Sequence, residues 1–391
     1  MIQRLCSLLT AFALMWNPAE AAGKTPSPAP SAPERPAAPA VRLTQLQFAD
    51  SAHGWVAGSI GDDPTAQIWR TSDGGKRWAS APIESGLQDA VFSFADGKHG
   101  WAIGSSECNM AAGTALCGRT TILHTSDGGK TWKGQWSIAD RRAGANNEIQ
   151  AIDENTAFVR VRSAIGKTTD GGQTWLDASV SDSGEAAPYH ISFVDALTGY
   201  AVGRLGTECP DPGLVPSDAN ADCRAAVWKT KDGGRHWVKL ANAPRLSGDW
   251  SPAAIRFPDR KHGFVLFVNP DTHGSLLYAT DNGGGKWKLR NDKIPGIRPY
   301  PVKLEFVNPR VGYVPLSVGA GPVEGGLLKT VNGGTHFAKL QDPRLVSVQD
   351  ADFHDPWTGW IIALNPERPE SALLLGTKDG GGSWTDFTPG T

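Results

Sequence analysis

Hydrophobic residues in this chain fall into short runs broken by polar, glycine-rich strings. Runs such as GWVAG from Gly54, GWAIG from Gly100 and GYAVG from Gly199 are followed, after a polar stretch, by AQIWRT, TILHT and AAVWKT. Each run has the length and the aromatic or branched content of a strand, and the strings between them carry the Asp, Asn and Gly of tight turns. These strings repeat. Thr-x-[Asp/Asn]-Gly-Gly-x-x-[Trp/Phe] occurs seven times, from Thr71, Thr125, Thr168, Thr230, Thr280, Thr330 and Thr377. A second motif, Phe-x-[Asp/Asn]-x-x-x-Gly-[Trp/Tyr/Phe], keeps step with it at Phe48, Phe94, Phe193, Phe257, Phe306 and Phe353. The third unit carries what reads as a shortened form, from Ile152 to Phe158. Each unit of about 50 residues thus predicts four short antiparallel strands, A to D, the pattern of a propeller blade.

Seven units in phase predict an all-β, seven-bladed β-propeller over 42–391. The blades fall at about 42–85, 88–139, 146–181, 188–244, 252–294, 300–343 and 346–391. The first strand A is expected near Leu43 and the last strand D near Phe387, so the ring should close by packing blade 7 on blade 1 without strand exchange. In the first motif Asp73, Asp127, Asp170, Asp232 and Asp379, with Asn282 and Asn332, are expected to accept from backbone N–H groups two residues on. The paired glycines supply positive φ, and the threonine hydroxyl can close the same turn. The closing aromatics, Trp78, Trp132, Trp175, Trp237, Trp287, Phe337 and Trp384, are expected to pack between neighbouring sheets, each indole N–H finding a local partner.

Composition agrees with this picture: 46 of 391 residues are glycine and 15 are tryptophan, so the chain is neither disordered nor collagen-like. Lys and Arg total 38 against 40 Asp and Glu, a formal charge of −2, which removes the basic excess a nucleic-acid or anionic-membrane partner would need. The N-terminus reads as a Sec-type signal peptide over 1–22. Met1–Arg4 is positive, Leu5–Trp16 is apolar, and Ala19-Glu20-Ala21 has the small-x-small form of a cleavage site. The apolar run is shorter than the roughly 20 residues a spanning helix needs. An exported protein, periplasmic or secreted and not integral to a membrane after cleavage, is expected. Residues 23–41 are dense in Pro and Ala and read as a linker.

The A–B and C–D turns, which share one face of a propeller, are nearly constant in length. The B–C loops of the other face range from Ser163–Ile165 to Arg204–Arg224. Variable loops tend to carry function, which makes Glu107, Arg119, Arg204, Glu208, Asp211, Arg224 and Trp250 the candidate binding-face residues. Cys108 and Cys117 bracket one such loop, and Cys209 and Cys223 another. Local pairing is the expected choice among three connectivities, in keeping with an oxidising compartment. Their spacing and the lack of neighbouring His argue against a metal site.

No coherent catalytic set emerges. His53, His99, His262 and His354 sit in the second motif and its turn, and His236 and His336 in the first. That leaves His124 on a predicted strand, and His190 and His273 without evident partners. No Gly-x-Ser-x-Gly elbow is present. The glycine-rich strings lack the Lys-Ser/Thr and helix of a phosphate loop. Acids off the repeat, namely Glu107, Glu208, Asp211, Asp222, Glu324 and Glu367, lie near B–C loops, where acidic residues are ordinary. Arg141, Arg142, Arg160 and Arg162, with Arg256 and Arg260, read as solvated surface charge. No metal or cofactor is expected.

The first motif resembles the Asp-box of bacterial-neuraminidase-type (BNR) repeats. The doubled glycine and the G-W-x-x-G strand are most similar to the Ycf48/HCF136 group, over about 43–388. Those are exported seven-bladed propellers known as photosystem II assembly factors, with relatives in non-photosynthetic bacteria. The resemblance implies a monomeric, non-catalytic scaffold that binds a protein partner in the envelope or membrane and assists assembly of a complex there. The alternative it leaves is a carbohydrate-active propeller, a hydrolase or glycan binder using residues such as Asp249 and Trp250. The Arg-Ile-Pro-like string of sialidases has only Ile255-Arg256-Phe257-Pro258 as a match, and Phe257 there is the strand A phenylalanine of the repeat.

Overall fold

The computed structural model describes residues 40–388 apart from 84–85, 112–113, 140–146, 181–185, 207–208, 210–222, 247–249, 270, 297–302 and 318–324. The expected signal peptide, most of the expected linker, and Glu208, Asp211, Asp222, Asp249, Glu324, Arg141 and Arg142 lie outside the described residues.

Among the described residues twenty-eight strands form seven four-stranded antiparallel sheets, each built of four consecutive strands. Blade 1 comprises β1 (Val41–Phe48), β2 (Gly54–Ile60), β3 (Gln67–Thr71) and β4 (Ala79–Pro82). Blade 7 comprises β25 (Val348–Phe353), β26 (Gly359–Leu364), β27 (Ala372–Thr377) and β28 (Thr385–Asp386). Among the described residues its sheet is formed by 348–386 alone, and blades 7 and 1 meet by side-chain packing without strand exchange. Strand A of blade 1 starts at Val41, two residues before the expected Leu43.

The Thr-x-Asp-Gly-Gly turn is held by a bond pattern common to all seven blades. Thr71 Oγ1 accepts from the N–H of Asp73 and of Gly75 and donates to Asp73 Oδ1, which itself accepts from the N–H of Arg77. The expected bond two residues on therefore belongs to the threonine, and the Asp or Asn oxygen reaches four residues on. Gly74 and Gly75, at φ 74° and 92°, bend the chain so that the hydroxyl can meet both N–H groups. Gly74 N–H also bonds Ala52 O in the A–B turn, as the corresponding glycine does in every blade, so the two turns of this face are locked together. The Asx bond two residues on is found instead in the A–B turn, where Asp50 Oδ1 accepts from Ala52 and His53 N–H.

The second motif encodes a belt of stacked aromatics. The ring after the motif glycine stacks on the motif phenylalanine of the next blade. The pairs are Trp55–Phe94, Phe158–Phe193, Tyr200–Phe257, Phe264–Phe306, Tyr313–Phe353 and Trp360–Phe48, with ring centroids 3.4–3.6 Å apart. The six-residue spacing from Phe to Gly exists because the Phe ring lies directly over that glycine: a Cβ on Gly199 would overlap the ring of Phe193. Trp78, Trp132, Trp237, Trp287 and Trp384 close on the same phenylalanines edge-on. Only two of the indoles find the expected acceptor. Trp78 donates to Phe387 O and Trp237 to Ala178 O, while the N–H groups of Trp132, Trp175, Trp287 and Trp384 have no partner among the described residues.

Blade 3 corrects the reading of its motif. It comprises β9 (Glu148–Ala151), β10 (Ala157–Val161), β11 (Ala164–Thr168) and β12 (Leu176–Asp177). Ala151 pairs with Ala157 as Phe48 pairs with Gly54, so the motif keeps its full length with Ala in both the Phe and the Gly slot. With no ring to accommodate, the glycine is no longer required. Trp101 of blade 2 consequently lacks a stacking phenylalanine, and its N–H bonds Gln135 Oε1 instead.

Candidate functional site

Two regions concentrate polar chemistry, namely the inner strands around the propeller axis and the B–C face. Strand A of each blade is an open sheet edge, and its unpaired backbone groups need partners. They find them in the preceding blade, from residues one and three before the Phe slot. Gln45 and Gln47 each exchange two bonds with the backbone of Phe92 and Phe94. Ser93 Oγ accepts from Ala151 N–H, Glu148 and Gln150 accept from Ile191 and Phe193, and Ser192 accepts from Phe257. Arg256 Nη2 reaches Glu305 at 2.9 Å, and Lys303 Nζ reaches Asp350 at 2.9 Å. The ring closes where Asp350 and Asp352 accept from Leu46 and Phe48 N–H at 2.8 and 2.7 Å.

The axis carries two charge groups. Glu148 faces Arg160, fully buried at 3.5 Å, and His190 at 2.5 Å. Burial works against its charge, but Arg160 and His190 outweigh it and hold the carboxyl near pKa 2. On the other side Asp352 is pushed up to about 6, first by burial and then by Glu305 and Asp350, with Lys303 opposing. Lys303 is held protonated, its three acid neighbours overcoming its burial. His190 was without an evident partner in the sequence. The signal that finds it is the alternation of polar residues on strand A, at fixed offsets from the Phe slot. Arg160 and Arg256 are likewise not solvated surface charge: both serve this axis, and Arg260 pairs with Asp195 at 2.7 Å.

On the B–C face blade 2 stands out. Its strands are β5 (Gln88–Phe94), β6 (Gly100–Ala111), β7 (Thr114–Thr125) and β8 (Lys133–Ala139). The β6–β7 pairing runs to Ala111–Thr114, past the last β5 pair at Ser105 and the last β8 pair at Arg119, forming an arm. The Cys108–Cys117 disulfide ties its two strands together. Glu107 and Arg119 face each other at its base, 3.6 Å apart. In blade 4 the Cys209–Cys223 disulfide joins the ends of the longest loop. Arg204 is buried there, donating to Trp250 O at 3.3 Å, while Arg224 is exposed at the start of strand C. Trp250 packs against the core between blades 4 and 5. The face therefore brings together Glu107 with Arg119 and Arg204 with Trp250, and only the first pair is open to solvent.

These features define a seven-bladed propeller with one uniform face and one elaborated face. The family model described as photosynthesis system II assembly factor YCF48 matches residues 38–190. Among solved structures, one described as YCF48 bound to D1 peptide is 18% identical, with a TM-score of 0.54 over 87% of this chain and 94% of that one. YCF48 from Cyanidioschyzon merolae is 16% identical, with a TM-score of 0.54 over 87% of this chain and 96% of that one. A GH74 xyloglucanase from Xanthomonas campestris is 14% identical, with a TM-score of 0.60 over 90% of this chain and 55% of that one. No curated protein matches the chain in sequence. The chain is a seven-bladed propeller that is similar to the YCF48 family over 38–190, and it shares its fold with enzymes as well as with YCF48.

Proposed function

We propose that the chain is an exported, non-catalytic scaffold that binds a protein partner through its B–C face and assists the assembly or stability of a membrane or envelope complex. The observation that carries this reading is the asymmetry of the two faces. The A–B/C–D face is one locked turn pair repeated seven times, whereas the B–C face bears a projecting arm tied by one disulfide and a long loop whose ends a second disulfide joins. Tying a protruding loop lowers the ordering cost of binding through it. The likeness to a YCF48 structure bound to a peptide supports a protein ligand. The test is in-cell crosslinking and co-purification of the mature protein beside a variant with 105–119 and 204–224 shortened. A specific envelope or membrane protein retained by the first and lost by the second is expected; equal retention contradicts the reading.

The carbohydrate-active alternative has one observation in its favour, the axial acids. Asp352, raised to about 6, keeps its proton to a higher pH than an ordinary carboxyl does, a shift in the direction a general acid needs. Against it, Asp350 and Asp352 are engaged by the backbone of blade 1 and Glu305 by Arg256. Polysaccharide hydrolysis that Asp352→Asn abolishes would favour the enzyme.

A further inference from the structure

The outer strands of a propeller are open edges, and six of the seven here are blunted by shortness. β4 has four residues, β12 two, β16 (Val238–Lys239) two, β20 (Lys288–Asn291) four, β24 (Ala338–Lys339) two and β28 two. β8 has seven, all partly or fully exposed; it pairs only with β7 among the described residues, with a bulge at Gln135 that leaves Trp136–Ala139 as its regular stretch. Alternate N–H and C=O groups along it point away from β7 and have no strand to meet among the described residues.

The same strand carries an apolar face. Trp136 and Ile138, two residues apart and so on one side of the strand, are 36% and 41% exposed. Trp136 lines a groove of about 200 Å³ together with Val159, Val161, Trp175 and Leu176 of blade 3. The groove is open because the blades differ in height. Blade 3 turns between β10 and β11 over Arg162 and Ser163 alone, so it ends well short of the top of β8. Leu176, on its far wall, is 59% exposed.

Charge says what covers this edge. Lys130 and Lys133 stand at one end of β8. At the other, Arg119 pairs with Ala139 and lays its guanidinium on Ser137 Oγ at 3.1 Å. β8 itself carries no acid. Among the described residues Glu107 is the acid that pairs with Arg119, and Asp177 on the far wall accepts from Ser179 N–H; Asp140, the residue after Ala139, lies outside the described residues. An unpaired seven-residue edge, a period-two apolar face and basic ends together specify an extended segment with alternating apolar side chains and acidic flanks.

We propose that the partner protein adds such a segment as a fifth strand of blade 2 along β8, seating its apolar side chains in the groove toward blade 3. This rests on the reading that the chain binds a protein. The probe is a fluorescent, amidated seven-residue peptide with glutamate at both ends and alternating valine and threonine between, titrated into the full mature chain. Saturable binding is expected, with slowed amide exchange over 133–139. Affinity should fall at least tenfold for Trp136→Ser with Ile138→Ser. It should fall as much when alternate peptide nitrogens are methylated, a change that leaves the protein untouched. No binding, protection elsewhere only, or equal binding of the methylated peptide overturns the proposal. Photocrosslinkers at Ser137 and Arg224 separate it from the broader reading. Partner capture at Arg224 but never at Ser137 overturns the β8 site alone, and capture at neither counts against the partner-binding face itself.

Discussion

Gly199→Ala is a test of why the second motif spaces Phe and Gly by six. Gly199 lies in a strand with ordinary backbone angles, so alanine should suit it and lower the entropy of the unfolded chain. The structure predicts the opposite. The new Cβ would overlap Phe193, and that ring cannot retreat. It is stacked on Phe158 at 3.4 Å between centroids and met edge-on by Trp237 at 5.9 Å. Overpacking of this kind costs about 1–3 kcal/mol. Phe193→Ala alone should cost about 3–5 kcal/mol through the cavity it leaves. The double variant reproduces the Ala151–Ala157 pair with which blade 3 already folds. It removes the clash, so its cost should fall below the sum of the singles by about 1–3 kcal/mol. Equilibrium urea denaturation of the four proteins measures this coupling. A neutral Gly199→Ala, or strict additivity, would refute the account of the motif.

Further predictions follow from the turns and the axis. Thr168 is fully buried and accepts from two N–H groups, so the near-isosteric Thr168→Val should cost about 1–3 kcal/mol in thermal or urea unfolding. Asp352 binds its proton more tightly in the folded protein than at the ordinary 3.8. Protonation therefore adds stability as pH falls through about 6. Relative to Asp352→Asn, the wild type should gain on the order of 1 kcal/mol between pH 7 and pH 5, and a gain in the other direction would be contrary to the burial argument. Glu148 acts oppositely: its contribution is present above about 4.5 and drains away toward pH 2, so Glu148→Gln should flatten the acid limb of the stability curve. Reduction of both disulfides should raise amide exchange in 105–119 while leaving the protected core of blades 5 to 7 unchanged.

Much of the fold was legible because its determinants are local. Turn chemistry, strand length and repeat period are all written within each unit of the chain, and closure followed from the repeats being in phase. What escaped was register. Matching Ile152 to the phenylalanines by hydrophobicity made the blade 3 motif look shortened. Alignment on Asp153 puts Ala151 in the Phe slot, and the paired change to Ala157 makes sense only once the ring is seen over the glycine. The axial residues escaped for a related reason. Gln47, Gln150, Ser192, Glu305 and Asp352 differ chemically, and their common task, closing the next blade's open edge, depends on a contact between repeats. Arg160 reads as a surface charge until the ring places it against Glu148.

The central claim is that the B–C face meets a protein and the uniform face does not. Photocrosslinking residues placed singly at Arg119 and Arg224 on the first face, and at Lys98 and Lys261 on the second, test it directly in cells of the native host. The account predicts one shared protein adduct from Arg119 and Arg224 and none from Lys98 or Lys261. Adducts from the turn face alone, or none from either, would contradict it.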